Sequence, residues 1–196
     1  MKSDQFIFYF VGGTSGSFVK SIFYYYLYKM NLHDKKITLL IDPITGNCHS
    51  NGAPRHYHNL NEIDRSKQII AIDFDDDDFE IIIKMVLNKV MFDTIAKNPN
   101  LLQTNWDGHL SDIDPYNRQM LEKAFIENPH LLIFQEWKAN LKEINPVLVL
   151  SFKEILFGDV NKKIIEFLGT NSLPEVEEFV AKYKKINSKY IDKILS

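Results

Sequence analysis

A turn rich in glycine and hydroxyl groups near the N-terminus has the composition of an anion-binding site. It reads Gly12-Gly13-Thr14-Ser15-Gly16-Ser17 and ends at Phe18. Glycines lack the Cβ atoms that would hold a phosphate away from the backbone, and the hydroxyl groups add hydrogen-bond donors. Between a strand and a helix, such a turn aims backbone N–H groups and the positive helix end at an anion. We therefore predict phosphate binding at residues 13–18; the alternative is a tight turn in which Ser or Thr caps the helix.

The residues after the turn decide which phosphate ligands it suits. A Walker A loop has a lysine directly after its last glycine, whereas Gly16 is followed by Ser17. The nearest lysine is Lys20, which lies on the helix that follows. Asp73 closes a later apolar run and has the position of an acid that holds Mg²⁺ in nucleotide hydrolases. A P-loop nucleotide-binding protein, or a small kinase or NTPase that uses Asp73, therefore stays open as an alternative.

Two histidines in the loop over residues 42–66 are candidate general bases. His56 and His58 follow the second predicted strand, and loops after parallel strands form the active crevice of open α/β sheets. An imidazole titrates near pH 6.5, so either side chain suits removal of a proton from a hydroxyl acceptor. Cys48 and His49 lie nearby, but the spacing matches no standard zinc site, so we predict no metal.

Four apolar runs predict the strands that position these residues. The runs cover residues 5–11, 37–41, 68–74 and 146–151, and helical segments are predicted over 18–29, 75–97, 115–126, 129–141, 159–168 and 174–195. Nearly continuous apolar character is typical of strands covered on both faces. Alternation of such strands with helices implies crossover connections and a parallel sheet. The sequence thus predicts one three-layer α/β domain over residues 1–196, with a mostly parallel sheet of four or five strands.

The composition narrows the possible partners and compartment. Apolar residues make up 45% of the 196-residue chain and charged residues 25%, as in ordinary folded proteins. The net charge of −3 disfavours sequence-independent nucleic-acid binding, which usually needs a basic surface. The single cysteine, Cys48, precludes an internal disulfide and suits the cytoplasm. We expect no membrane span, which needs roughly 18 consecutive apolar residues, and no signal peptide.

Two parts of the chain resemble the sulfotransferase family, which has a P-loop-like fold and uses 3′-phosphoadenosine 5′-phosphosulfate as donor. The turn from Gly13 to Phe18 is similar to the loop that cradles the 5′-phosphosulfate, with Gly16 and Ser17 as the matching core. Residues 147–156, followed by 164–169, resemble the family's strand, "Y-E-D-L" turn and "F-L-G" helix end. The resemblance implies a P-loop-like α/β fold and a phosphoadenosine nucleotide bound at residues 12–17. It further implies transfer of a sulfuryl group to a hydroxyl-bearing acceptor.

The resemblance also implies roles for particular charged residues. Thr14 replaces the family's loop lysine, so Lys20 is the nearest cation for the bridging oxygen. The family's arginine for the 3′-phosphate would fall near Asp73, and other basic residues must then meet that phosphate. The candidates are Lys84, Arg65 and Lys67. Because these two basic groups are missing, a catalytically silent scaffold of the same fold is a further alternative.

Overall fold

The computed structural model describes residues 2–10, 15–42, 46, 48–49, 52–54, 57, 60–78, 81–82, 119, 137 and 139–195. The strands are β1 (Phe6–Tyr9), β2 (Leu40–Ile41), β3 (Cys48–His49), β4 (Gln68–Asp73) and β5 (Leu148–Ser151). The helices are α1 (Gly16–Lys29), α2 (Phe152–Leu156), α3 (Val160–Leu168) and α4 (Pro174–Leu195). Short 3₁₀ helices cover Ser3–Gln5, Leu60–Glu62 and Asp76–Asp78, and residues 139–144 are also helical.

A parallel sheet in the order β1-β4-β5 lies at the centre of the described residues. Ile7 of β1 lies opposite Ile69 of β4, and Ile70 lies opposite Leu148 of β5. On the outer side of β1, Tyr57 forms an isolated parallel bridge. The predicted α/β class and parallel sheet are confirmed, although the described residues contain three parallel strands where four or five were expected.

The second predicted strand, over residues 37–41, does not join the parallel sheet. Its last two residues form β2, which pairs antiparallel with β3. Ile37 is buried, whereas the Leu40 side chain is 45% exposed, so this run is covered on one side only. The prediction was wrong here because it took an apolar run for a strand covered on both faces.

Helical residues contact both faces of β1. Phe8 packs edge-on against Phe23 of α1, with ring centroids 5.4 Å apart. The next residue, Tyr9, stacks on Trp137 with a centroid distance of 4.3 Å. Successive side chains of a strand point to opposite faces, so α1 and the helical residue Trp137 cover opposite faces of the sheet.

Helix α1 is buried on almost every side, as its aromatic sequence predicts. Ten of its 14 residues are buried, and α4 packs against it in the antiparallel direction. Phe18 near the start of α1 stacks on Tyr183, whereas Lys29 at its end pairs with Glu175. None of the helices in the described part of the chain is long and apolar enough to cross a membrane. The antiparallel packing brings Tyr183 of α4 next to the first turn of α1.

Capping residues mark the start of α2 and both ends of α3. Ser151 starts α2 with a capping box, in which its backbone N–H donates to Glu154 Oε2 at 3.1 Å. Asp159 caps α3 through the Lys162 N–H, and Gly169 ends that helix at a φ of 64°. The strand predicted over residues 146–151 and the helix predicted over 159–168 are confirmed, whereas the turn predicted between them contains the short helix α2.

The contact between the end of β1 and the start of α1 gives a first prediction. The ring of Phe10 occupies the place where a Cβ at position 16 would lie. Gly16→Ala should therefore lower the free energy of unfolding in urea by about 1–3 kcal/mol. In a Phe10→Leu background the same substitution should cost at least about 1 kcal/mol less, because the two positions are in contact. Equal costs in both backgrounds would contradict this packing.

Candidate functional site

The candidate site lies where the three parallel strands end. Their carboxyl ends share one edge of the sheet, which is where ligands bind in open α/β folds. Asp73 is the last residue of β4 and lies opposite Ser151 of β5. Tyr9, at the end of β1, lies opposite Ala71, which is two residues before Asp73. Helix α1 begins at Gly16, seven positions after β1 ends. The start of α1, Asp73 and Ser151 are therefore all close to this edge.

The start of α1 offers backbone donors. Gly13 and Thr14 lie outside the described residues. Ser15 has a left-handed backbone with a φ of 63°, and its side chain makes no capping hydrogen bond to the helix. The first intrahelical hydrogen bond runs from the Phe18 N–H to the Ser15 carbonyl at 3.0 Å. The amides of Gly16 and Ser17 precede this bond and lie at the positive end of the helix macrodipole.

The side chains of the turn divide between the protein interior and the surface. Phe18 is 1% exposed, so its contribution to a ligand is limited to its backbone. The buried Ser15 hydroxyl accepts a hydrogen bond from the Tyr183 hydroxyl. Ser17 is half-buried. Sequence reasoning missed Tyr183, because the spacing of α4 shows an apolar face without showing what that face contacts.

Lys20 follows Gly16 by one helical turn and is buried. Its ammonium donates to the Pro54 carbonyl at 3.0 Å, and burial lowers its pKa. Amines with a perturbed pKa cluster at functional sites, which keeps Lys20 a candidate site residue. The structure therefore brings Lys20 close to Pro54, which precedes Tyr57 by three residues, and Tyr57 lies beside β1.

Two of the acidic residues after β4 pair with Lys153, which is not among the predicted site residues. Lys153 Nζ lies 3.1 Å from Asp75 Oδ2 and 3.7 Å from Asp78 Oδ1. The hydrogen bond to Asp75, and then the charge of Asp78, raise the pKa of Lys153. Asp73 Oδ1 accepts the Phe74 N–H at 2.8 Å. In the part of the chain that the structure describes, His, Cys, Asp and Glu form no group of three or more that could hold a metal ion.

Arg65 and Lys67 are not at the candidate site. Both precede β4, so they lie near its amino end, whereas α1 begins near the carboxyl edge. The six residues of β4 span about 17 Å, and Arg65 forms an exposed ion pair with Glu143. Neither residue is therefore placed to contact a phosphate at the start of α1, and their contact with a 3′-phosphate stays a prediction.

Three further predicted site residues, His56, His58 and Lys84, lie outside the described residues. Tyr57, between the two histidines in sequence, is described. Its N–H donates to the Phe8 carbonyl at 2.9 Å, and its carbonyl accepts the Phe10 N–H at 3.3 Å. Tyr57 therefore lies beside the end of β1.

Comparison of the chain with protein-family models, curated protein sequences and solved structures finds no match. A function for this chain therefore has to be argued from the residues of the site and from the sequence of residues 13–18 and 147–169.

The environment of Lys20 predicts a pH dependence of stability. Burial holds its pKa below that of the unfolded chain, so the folded state binds fewer protons between the two pKa values. The contribution of Lys20 to stability therefore rises with pH over that interval. In urea unfolding, the stability of wild type relative to Lys20→Met should increase from about pH 7 to about pH 10.

Lys29 provides the control for this experiment. It is exposed, and its hydrogen bond to Glu175 raises its pKa, so wild type relative to Lys29→Met should show no such increase. A Lys20→Met difference that is flat or falls with pH would show that the amine is not buried.

Proposed function

We propose that this chain binds a phosphoadenosine-type nucleotide, with a phosphate at the amides of Gly16 and Ser17. The observation that carries the proposal is the arrangement of β1 and α1. A buried parallel strand leads, through a glycine-rich turn, into a helix whose first amides lie near the carboxyl edge of the sheet. This is the arrangement in which α/β proteins bind phosphate groups.

The donors at this helix end fit the oxygens of a phosphate. Two consecutive amides precede the first intrahelical bond, and the macrodipole adds roughly half a positive charge. The Ser17 hydroxyl is a further donor on a half-buried side chain. Ser15 and Phe18 are held in the interior, so they would fix the turn while the amides contact the ligand.

Sulfuryl transfer to a hydroxyl acceptor is the activity that the sulfotransferase resemblance adds to this proposal. Such a transfer needs a base for the acceptor proton and donors for the oxygen of the leaving phosphate. We assign the base to His56 or His58, which flank Tyr57 in the sequence. Thr14 and Lys20 are the candidates for the leaving oxygen. Since a neutral hydroxyl is a weaker donor than an ammonium, we expect slow transfer.

Binding of ATP with Mg²⁺ is the second candidate function. Asp73 favours it, because this acid ends the strand next to β1, where nucleotide hydrolases hold their metal ion. A catalytically silent scaffold would bind neither nucleotide.

Ligand-induced stabilisation distinguishes these candidates. At about 100 times its dissociation constant, adenosine 3′,5′-bisphosphate should raise the free energy of unfolding by roughly 2.7 kcal/mol. ATP with Mg²⁺ should have a smaller effect at the same concentration. Stabilisation by ATP with Mg²⁺ alone would favour the NTPase, and stabilisation by neither would favour the scaffold. Chemical denaturation at several ligand concentrations measures the difference.

A carboxylate at position 17 should separate fold stability from ligand binding. Ser17→Glu places a negative charge in the first turn of α1, which should stabilise the ligand-free helix by about 0.3–1 kcal/mol. The same charge should repel the bisphosphate and weaken its binding at least about tenfold. Asn171→Glu adds the same charge at an exposed site on another part of the chain and serves as control. Equal affinities for the two variants would contradict phosphate binding at Gly16 and Ser17.

A further inference from the structure

We propose that a cleft between α1, α4 and residues 36–41 binds an extended, acidic peptide segment of a partner protein by strand addition. The cleft has a volume of about 560 Å³, and its lining includes Tyr28 of α1 and Phe179 of α4. Tyr28 follows Gly16 by twelve residues, which is about 18 Å along the helix. The cleft is therefore remote from the start of α1, and this inference is independent of the proposed nucleotide site.

One wall of the cleft is an unpaired strand edge. Residues 36–39 run without a turn or bend into β2, and within the described residues β2 pairs with β3 alone. In the same part of the chain, the backbone groups of Thr38 and Leu39 make no hydrogen bond, and Thr38 is exposed. Free N–H and C=O groups along a strand edge are a template for pairing with another extended chain. An extended peptide is the ligand whose own backbone can satisfy several of these groups at once.

The cleft also offers apolar surface to the side chains of such a peptide. Leu40 is 45% exposed, and the rings of Tyr25 and Tyr28 are half-buried on α1. In an extended chain every second side chain points to the same face. Alternate apolar residues of a bound peptide can therefore contact this surface while its backbone pairs with residues 38–41.

The charges of the cleft favour an acidic peptide. Lys29 pairs with Glu175 at 3.0 Å, so these two lining charges compensate each other. Lys36 and Lys182 also belong to the lining, are exposed and form no ion pair within the described residues, and Glu178 is the remaining acid there. Two positive charges thus stand against one negative charge, in a chain whose net charge is −3. Such a local surplus of positive charge attracts a segment that carries Asp or Glu.

Selection from a random peptide library displayed on phage tests this inference on the full chain. Two double variants of equal net charge are compared. Lys36→Glu with Lys182→Glu reverses both unpaired cations of the cleft, whereas Lys35→Glu with Lys185→Glu reverses exposed neighbours outside its lining. Calorimetry measures the dissociation constants of the selected peptides, before and after N-methylation of either set of alternate peptide amides.

We expect the selected peptides to carry Asp or Glu and to bind the cleft variant at least about tenfold more weakly than the control variant. N-methylation of one of the two sets of amides should weaken binding at least about tenfold as well, because it removes the donors of the added strand. A library that yields no binding peptide, or peptides with equal affinity for the two double variants, would overturn the inference. Peptides that tolerate N-methylation of both sets would bind through side chains alone and would overturn strand addition.

Discussion

The aromatic packing around α1 determines where the first turn of this helix lies relative to the parallel sheet. Phe23 packs edge-on against Phe6 and Phe8 of β1, at 5.1 and 5.4 Å between ring centroids. Phe18, at the start of the helix, stacks on Tyr183 of α4. Each such ring pair contributes about 0.5–1.5 kcal/mol beyond the apolar area that it buries. Because α1 is held between β1 and α4, its N-terminus stays near the carboxyl edge of the sheet, and its first amides keep one direction.

Two lysines contribute positive charge near the carboxyl edge of the sheet, and the burial of α1 accounts for the position of one of them, Lys20. Burial of α1 takes Lys20 out of water, and its ammonium donates to the Pro54 carbonyl. Lys153, at the start of α2, pairs with two of the acids after β4, Asp75 and Asp78. The edge therefore combines the first amides of α1 with an acidic segment in which Lys153 pairs with Asp75 and Asp78.

The sequence predicted those helices and strands whose ends are set by residues close to them in the chain. Asp159 and Gly169 bound α3 as their types suggest, and the apolar run over residues 68–74 gives β4. Long-range contacts were not predictable in this way. The contact of Ser15 with Tyr183 joins residues 168 positions apart, and no periodicity indicates such a partner.

The differences between the predictions and the structure have specific physical causes. Residues 37–41 are apolar enough for a central strand. A strand joins a sheet, however, through hydrogen bonds to a neighbouring strand, and β2 pairs with β3 and not with the parallel sheet. Arg65 was chosen for its closeness to β4 in sequence. A residue before a parallel strand lies at the amino edge, opposite the place where α1 begins.

A titration of the wild-type protein with adenosine 3′,5′-bisphosphate, followed in ¹H–¹⁵N spectra, tests the central claim most directly. The amides of Gly16 and Ser17 should show the largest saturable downfield shifts, because they would donate to the phosphate oxygens. The amide of Gly169, at the C-terminal end of α3, should not move. Shifts confined to other parts of the chain, or no saturable shift at Gly16 and Ser17, would contradict an anion site at the start of α1.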